Sequence, residues 1–235
     1  MAETNEKLIS ELIRDGYLKT PRLVEAFNRI DRKNFIPKEL ISEAYGNYPL
    51  PIGYGQTISQ PLTVAFMLEL LEPKPGEKIL DIGAGSGWTT ALLAYIVSKP
   101  QASAERTRTD AEKNLRSSAS SQRESAGRVV AIERIHELKE MAEKNVTKYS
   151  FIEKGIAKVI LGDGSMGYSE WAPYDKIIAA AAAEKIPDTW GKQLKVGGRI
   201  VAPVGNSILT LDKISENKFK TKEYFGFSFV PLVKD

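Results

Sequence analysis

The stretch ILDIGAGSGWTT, residues 79–90, holds the densest group of residues suited to chemistry. An apolar run ends in Asp81, and Gly83, Ala84, Gly85, Ser86 and Gly87 turn it directly into a helical pattern. Glycines at such a turn let backbone approach a ligand that a Cβ would repel, and the first turn of the following helix offers free N–H donors. A dinucleotide site would read G-x-G-x-x-G. Here the spacing is G-x-G-x-G with Trp88 in the last place, which argues against a pyrophosphate cradle. A bare strand-to-helix turn is the plain alternative.

Two further acids extend the pattern. VVAIER ends a second apolar run in Glu133, and a carboxylate at that tip can accept both hydrogen bonds of a ribose diol. Asp81 and Glu133 stand 52 positions apart, far beyond the roughly 20 of a nucleotide-binding βαβ unit, but leaving out the 27 residues 100–126 brings the gap to 25. LGDGSMGY then places Asp163 and Gly164 after a third run, where a carboxylate can take an adenine amino proton; a simple Asp-Gly turn is the alternative. Upstream, PIGYGQTISQP (51–61) is a glycine-rich, hydroxyl-bearing loop that leads into a helix opened by Pro61.

The elements that must position these residues follow from periodicity. Residues 5–14 and 21–30 carry apolar positions at helical spacing, separated by a turn with Gly16 as a C-terminal stop and Thr20 as a cap. Residues 35–60, rich in proline and glycine, read as an irregular connection, and a helix starts at Pro61. Strands at 78–83, 128–133, 157–163, 174–181 and 198–204 alternate with helices at 88–97, 135–149 and 187–194. Such alternation predicts an α/β fold: a Rossmann-like, doubly wound, mainly parallel sheet of about seven strands behind an N-terminal helical extension. Segments 207–215 and 223–233 follow without a helix between them and predict a closing antiparallel pair. We divide the chain into residues 1–72, helices and loop packed on the core, and 73–235, a ligand-binding domain. Residues 100–127 hold one leucine, no aromatic, valine or isoleucine, and five basic against four acidic residues. That composition predicts a polar insertion peripheral to the site. Trp88, Trp171 and Trp190 are read as packing residues.

Composition narrows the function. The chain has 235 residues, 42% of them apolar and 27% charged, and a net charge of +3, too small to argue for nucleic acid. It has no cysteine, so disulfides, thiolate nucleophiles and cytosine-C5 chemistry are excluded. Its one histidine, His136, opens a predicted helix and is read as structural. No apolar run approaches the roughly 18 residues of a membrane span, and the N-terminus lacks a signal-peptide pattern, so a cytoplasmic protein is expected.

The chain resembles the class I S-adenosylmethionine-dependent methyltransferases, and within them the protein-L-isoaspartate (D-aspartate) O-methyltransferase family. LPIGYGQTISQP (50–61), LDIGAGSGWTTALLA (80–94), GDGSMGYSEWAPYDKIIAAAA (162–182), LKVGGRIVAPVG (194–205) and FVPLVKD (229–235) carry the resemblance, which spans nearly the whole chain outside 100–127. It implies S-adenosyl-L-methionine held by Asp81, Gly83, Ala84, Gly85, Glu133, Asp163 and Gly164, with Gln56, Thr57 and Ile58 in a covering loop. It implies Ser59 as the active-site serine, Ile58, Ser59, Val204 and Gly205 on the substrate side, and no metal. The implied partners are isoaspartyl-containing peptides and proteins, met by a monomer, with no nucleic acid and no membrane. Methyl transfer to a carboxylate suits this inventory, because a group with a pKa near 4 is already ionised and needs no strong base. A nucleic-acid or small-molecule methyltransferase of the same superfamily, or a silent binding module on that fold, are the alternatives. Against the nucleic-acid reading, IIAAAAAEKIP (177–187) has no Asn/Asp-Pro-Pro-aromatic element to hold an exocyclic amine.

Overall fold

The structure, a computed structural model, describes residues 4–98 and 127–233. The expectation for 100–127 therefore falls almost wholly outside the described residues, as do Lys234 and Asp235.

Two helices open the chain, α1 (Asn5–Arg14) and α2 (Pro21–Arg29). Thr4 caps α1 by accepting from Lys7 N at 3.2 Å. Thr20, expected to cap α2, instead donates its hydroxyl to Glu69 Oε2 at 2.7 Å, and the other oxygen of Glu69 accepts the amides of Lys19 and Thr20. The glutamate thus ties the α1–α2 turn to α3 (Pro61–Leu71). The supposedly irregular stretch before α3 contains two 3₁₀ turns, Arg32–Phe35 and Lys38–Glu43, and an antiparallel ribbon of β1 (Leu50–Gly53) and β2 (Gln56–Ile58). Tyr54 and Gly55 turn that ribbon with φ of 54° and 69°, the left-handed values a tight hairpin demands. Proline and glycine counts hid the ribbon because its strands are only three and four residues long.

Then come β3 (Lys78–Ile82), α4 (Trp88–Ser98), β4 (Arg128–Glu133), α5 (His136–Thr147), β5 (Ala157–Leu161), β6 (Tyr174–Ala179), α6 (Asp188–Gln193), β7 (Leu194–Val204), β8 (Ser207–Ser215) and β9 (Lys218–Phe225). Seven of the strands form one sheet in the order β5-β4-β3-β6-β7-β8-β9. The first five run parallel, and β8 is antiparallel to both β7 and β9. The order reverses at β3, so the crevice of the sheet lies beyond the carboxyl ends of β3 and its neighbours. The last strand runs from Lys218 rather than Glu223 and stops at Phe225. Gly226, at φ 97°, turns the chain away, and the FVPLV segment leaves the sheet.

The pleat sorts side chains between two cores. Ile79, Val129, Ile178 and Val201 face a cluster that also takes Leu8, Leu12, Leu23, Phe27, Leu68, Leu92 and Ile96, so the N-terminal helices share one core with the sheet. Leu80, Ile82, Val130, Ile132 and Ile177 face the other side with Tyr174, Trp190 and Leu194. Phe27 meets Trp88 edge-on with ring centroids 5.5 Å apart, and Trp88 Nε1 donates to Ile30 O at 3.2 Å. All three tryptophans pack as expected, Trp190 Nε1 donating to Gly164 O at 2.9 Å and Trp171 lying under Arg128 and Lys158.

Candidate active site

At the carboxyl end of β3 the chain must leave the sheet and enter α4 within five residues. Gly83, Gly85 and Gly87 do this with φ of 84°, 52° and 85°, conformations that cost most side chains about 1–2 kcal/mol. Gly83 and Ala84 both donate to Ile132 O, at 2.9 and 3.0 Å, which seats the turn on the tip of β4. Gly87 has a packing reason as well: a Cβ there would stand 2.9 Å from Ala142 O and 3.0 Å from Val146 Cγ2. Ser86 O accepts from the buried Asn145 amide at 2.9 Å, so α5 holds the turn from beneath.

Glu133 closes the arrangement. One carboxylate oxygen accepts Gly85 N at 2.8 Å; the other accepts Arg134 N and Ile135 N at 2.9 and 3.0 Å. Glu133 is 7% exposed, and that remaining surface fronts a cavity of about 390 Å³. Around it stand Gly83, Ala84 and Gly85 on one wall and Gln56, Thr57, Ile58 and Ser59 on another, with Gly164 at the tip of β5. Ser59 is half-buried just past the ribbon, and the helix cap next to it is Gln60, which makes no side-chain capping bond. Ser59 is therefore not the cap of α3.

Of the three strand-end acids, only Glu133 lines the cavity. Asp81 pairs with Ala131 and so stops two residues short of Glu133, on the pleat face shared with Ile79. It is wholly buried under α4, where Thr90 Oγ1 donates to Oδ2 at 2.7 Å and Oδ1 has no hydrogen-bond partner. Burial pushes its carboxyl up to about 7; the Thr90 bond opposes the shift and the charge of Glu133 adds to it. Asp163 turns back on its own loop, accepting Ser165 N and Ser165 Oγ, both at 2.8 Å, so it caps a short 3₁₀ turn while its neighbours Gly162 and Gly164 front the cavity. Val204 and Gly205 are not on the cavity wall either. Ala182 and Ala183 lie between the end of β7 and the C-terminal tail: Ala183 N donates to Pro203 O, and Gly205 N to Ala183 O. On the far side, Ala182 N donates to Val230 O at 2.8 Å and Leu232 N to Ala182 O at 2.7 Å. The tail, Ser228 to Val233, takes the wall that Val204 was expected to form.

Several lining residues escaped the sequence reading: Thr63, Trp88, Ile135, Ala180, Ala181 and the tail. The tail falls within the closing strand expected at 223–233; Pro231, and the place of FVPLVKD among the motifs of the resemblance, are the signals that set it apart. His136 is exposed and pairs with Glu140 at 3.2 Å along α5, away from the lining.

The donor set fits a nucleoside with a charged thioether arm. A carboxylate is held at the tip of the strand beside the glycine turn, backbone approaches unshielded by side chains, and hydroxyls and apolar groups complete the wall. A cavity of about 390 Å³ lies within the few-hundred-Å³ range of small-molecule sites. Fold and cavity together define a Rossmann-like protein of the class I methyltransferase kind.

The chain belongs to the protein-L-isoaspartate(D-aspartate) O-methyltransferase family, whose model matches residues 3–235. A protein-L-isoaspartate O-methyltransferase of Methanopyrus kandleri is 38% identical over 232 residues, spanning 97% of this chain and 90% of that one. Its counterpart in Ignicoccus hospitalis is also 38% identical, over the full length of both chains. Among solved structures, a putative family member from Plasmodium falciparum in complex with S-adenosyl-L-homocysteine superposes with a TM-score of 0.79 over all of both chains at 20% identity, a likeness of fold. A protein-L-isoaspartate O-methyltransferase structure gives 0.77 at 25% identity, over 97% of this chain and 65% of that one.

Proposed function

We propose that this protein transfers a methyl group from S-adenosyl-L-methionine to the free carboxylate of L-isoaspartyl and D-aspartyl residues in damaged peptides and proteins, which starts their repair. The observation that carries the proposal is the shared cavity: Ser59, delivered by the ribbon, lines the same space as the glycine turn and Glu133.

When bound, the cofactor supplies a methyl group on a sulfonium, open to in-line attack by a carboxylate oxygen. Glu133 holds the ribose side, its carboxylate oriented by three backbone amides. Gly83, Ala84, Gly85 and Gly164 give the backbone approach, and Gln56, Thr57 and Ile58 cover the site. Ser59 donates to one oxygen of the acceptor carboxylate and leaves the other free to attack. A neutral hydroxyl suits that task better than a cation, which would stabilise the nucleophile and slow it. Holding the acceptor in line replaces a bimolecular encounter by an oriented one, worth up to roughly 7–11 kcal/mol. The ribbon and the tail exclude water from the cavity.

On this reading residues 1–72 bring the loop that covers cofactor and acceptor, residues 73–235 bind the cofactor, and the enzyme works as a monomer in the cytoplasm on proteins, with no nucleic acid. Among the described residues no helix is long and apolar enough to cross a membrane. Transfer of label from methyl-labelled cofactor to an isoaspartyl peptide, with the aspartyl isomer as control, tests the proposal. Equal labelling of both, or of neither, would refute it.

A further inference from the structure

Arg32 is a charged residue with no exposed surface at all. Its guanidinium donates four hydrogen bonds, every one to a backbone carbonyl: Nη1 to Ala44 O at 2.9 Å and Gly46 O at 3.1 Å, Nη2 to Tyr48 O at 3.0 Å and Ser59 O at 3.2 Å. No carboxylate pairs with it among the described residues, and its face lies 5.6 Å from the centroid of Trp88, itself a cavity-lining side chain. Burying a cation without a counter-ion is costly, and burial pushes this guanidinium down to about 10. Its partners show what it does. Tyr48 and Ser59 flank the ribbon, whose paired residues run from Leu50 to Ile58. One nitrogen, Nη2, therefore joins the entrance of the ribbon to its exit, and the other holds the approach at Ala44 and Gly46. Arg32 itself belongs to the 3₁₀ turn behind α2.

We infer that Arg32 is the positioning residue for Ser59: by clamping the neck of the ribbon from the N-terminal extension, it fixes the direction in which the serine hydroxyl enters the cavity. The inference rests on Ser59 meeting the acceptor, as proposed above. A planar fork with paired donors can hold carbonyls from two segments at once, whereas the ammonium of a lysine is a compact point charge on a flexible stem and cannot span them. The clamp also gives the N-terminal helices a part in the chemistry although neither lines the cavity.

The test is Arg32→Lys, with Arg32→Met beside it. Arg32→Lys is expected to keep S-adenosylhomocysteine affinity within about twofold by calorimetry while kcat on an isoaspartyl peptide falls about tenfold or more. Amide exchange should quicken in 44–59 and stay unchanged in α4 and the sheet. In a Ser59→Ala background the same substitution should lower kcat by less than about twofold, because the group being aimed is gone. A folded Arg32→Lys enzyme with unchanged kcat, an exchange increase spread through the core, or a full further loss in the Ser59→Ala background would each overturn the clamp. Should neither variant fold, the unaltered protein decides: ribbon amides as protected as the start of α3 support the clamp, and a freely exchanging ribbon beside a protected α3 refutes it. A parent enzyme silent toward isoaspartyl peptide would sink the proposed function, while the exchange result would still decide the clamp.

Discussion

On the proposed reading Ser59 sets the acceptor side of this site with a single hydroxyl, and removing it tests that directly. Ser59→Ala should lower methyl transfer to an isoaspartyl peptide about 10- to 100-fold, the scale of one hydrogen bond to a charged group, with cofactor affinity unchanged by calorimetry. Glu133 and Asp163 separate in the same assay. Glu133 lines the cavity and anchors the glycine turn, so Glu133→Ala should weaken S-adenosylhomocysteine binding by about 10- to 100-fold. Asp163→Ala acts only through its turn and should cost less than about tenfold. Asp81 carries a different signature. Its folded carboxyl titrates near 7, above its ordinary value of 3.8, so between those values the native state holds a proton that the unfolded chain has released. Its contribution to stability is therefore present at low pH and is lost as pH rises through that window. Asp81→Asn should flatten the fall of Tm between pH 4 and 7, readable by thermal unfolding across that range; an unaltered slope would remove Asp81 from the linkage.

At the scale of elements, the glycine turn works because α5 lies against it. Gly87→Ala brings a Cβ onto Ala142 O in a left-handed backbone, so strain and overpacking together should cost about 2–4 kcal/mol in urea unfolding. The ribbon is a smaller device with a larger effect. Two short strands deliver five consecutive lining residues, Gln56 to Gln60, and their hairpin needs the left-handed Tyr54 and Gly55. The tail completes the cavity by pairing with Ala182 after Gly226 has ended β9, so it takes the part expected of the β7 terminus.

For the molecule as a whole, the N-terminal helices are inseparable from the methyltransferase sheet. Leu8, Leu12, Leu23, Phe27 and Ile30 are buried in one cluster with residues of α4 and the sheet. At about 2 kcal/mol each, their loss approaches the whole 5–15 kcal/mol stability of a domain. A chain lacking residues 1–30 should therefore lose its cooperative thermal transition by calorimetry; a truncated chain that melts sharply would show two independent units.

The sequence by itself determined the parallel alternation, the glycine turn, Glu133 at its strand tip and the hydroxyl-bearing loop before α3. Each of these is written in local periodicity or in the backbone freedom of glycine, which neighbours in the chain fix. Only tertiary structure decided which acid faces the cavity, because strand register sets Asp81 two residues behind Glu133 and places it under a helix. Only tertiary structure revealed Arg32 as well. A lone arginine in a polar turn reads as a surface charge until four carbonyls from distant positions close around it, and hydrogen bonds to backbone leave no trace in the residue types that make them.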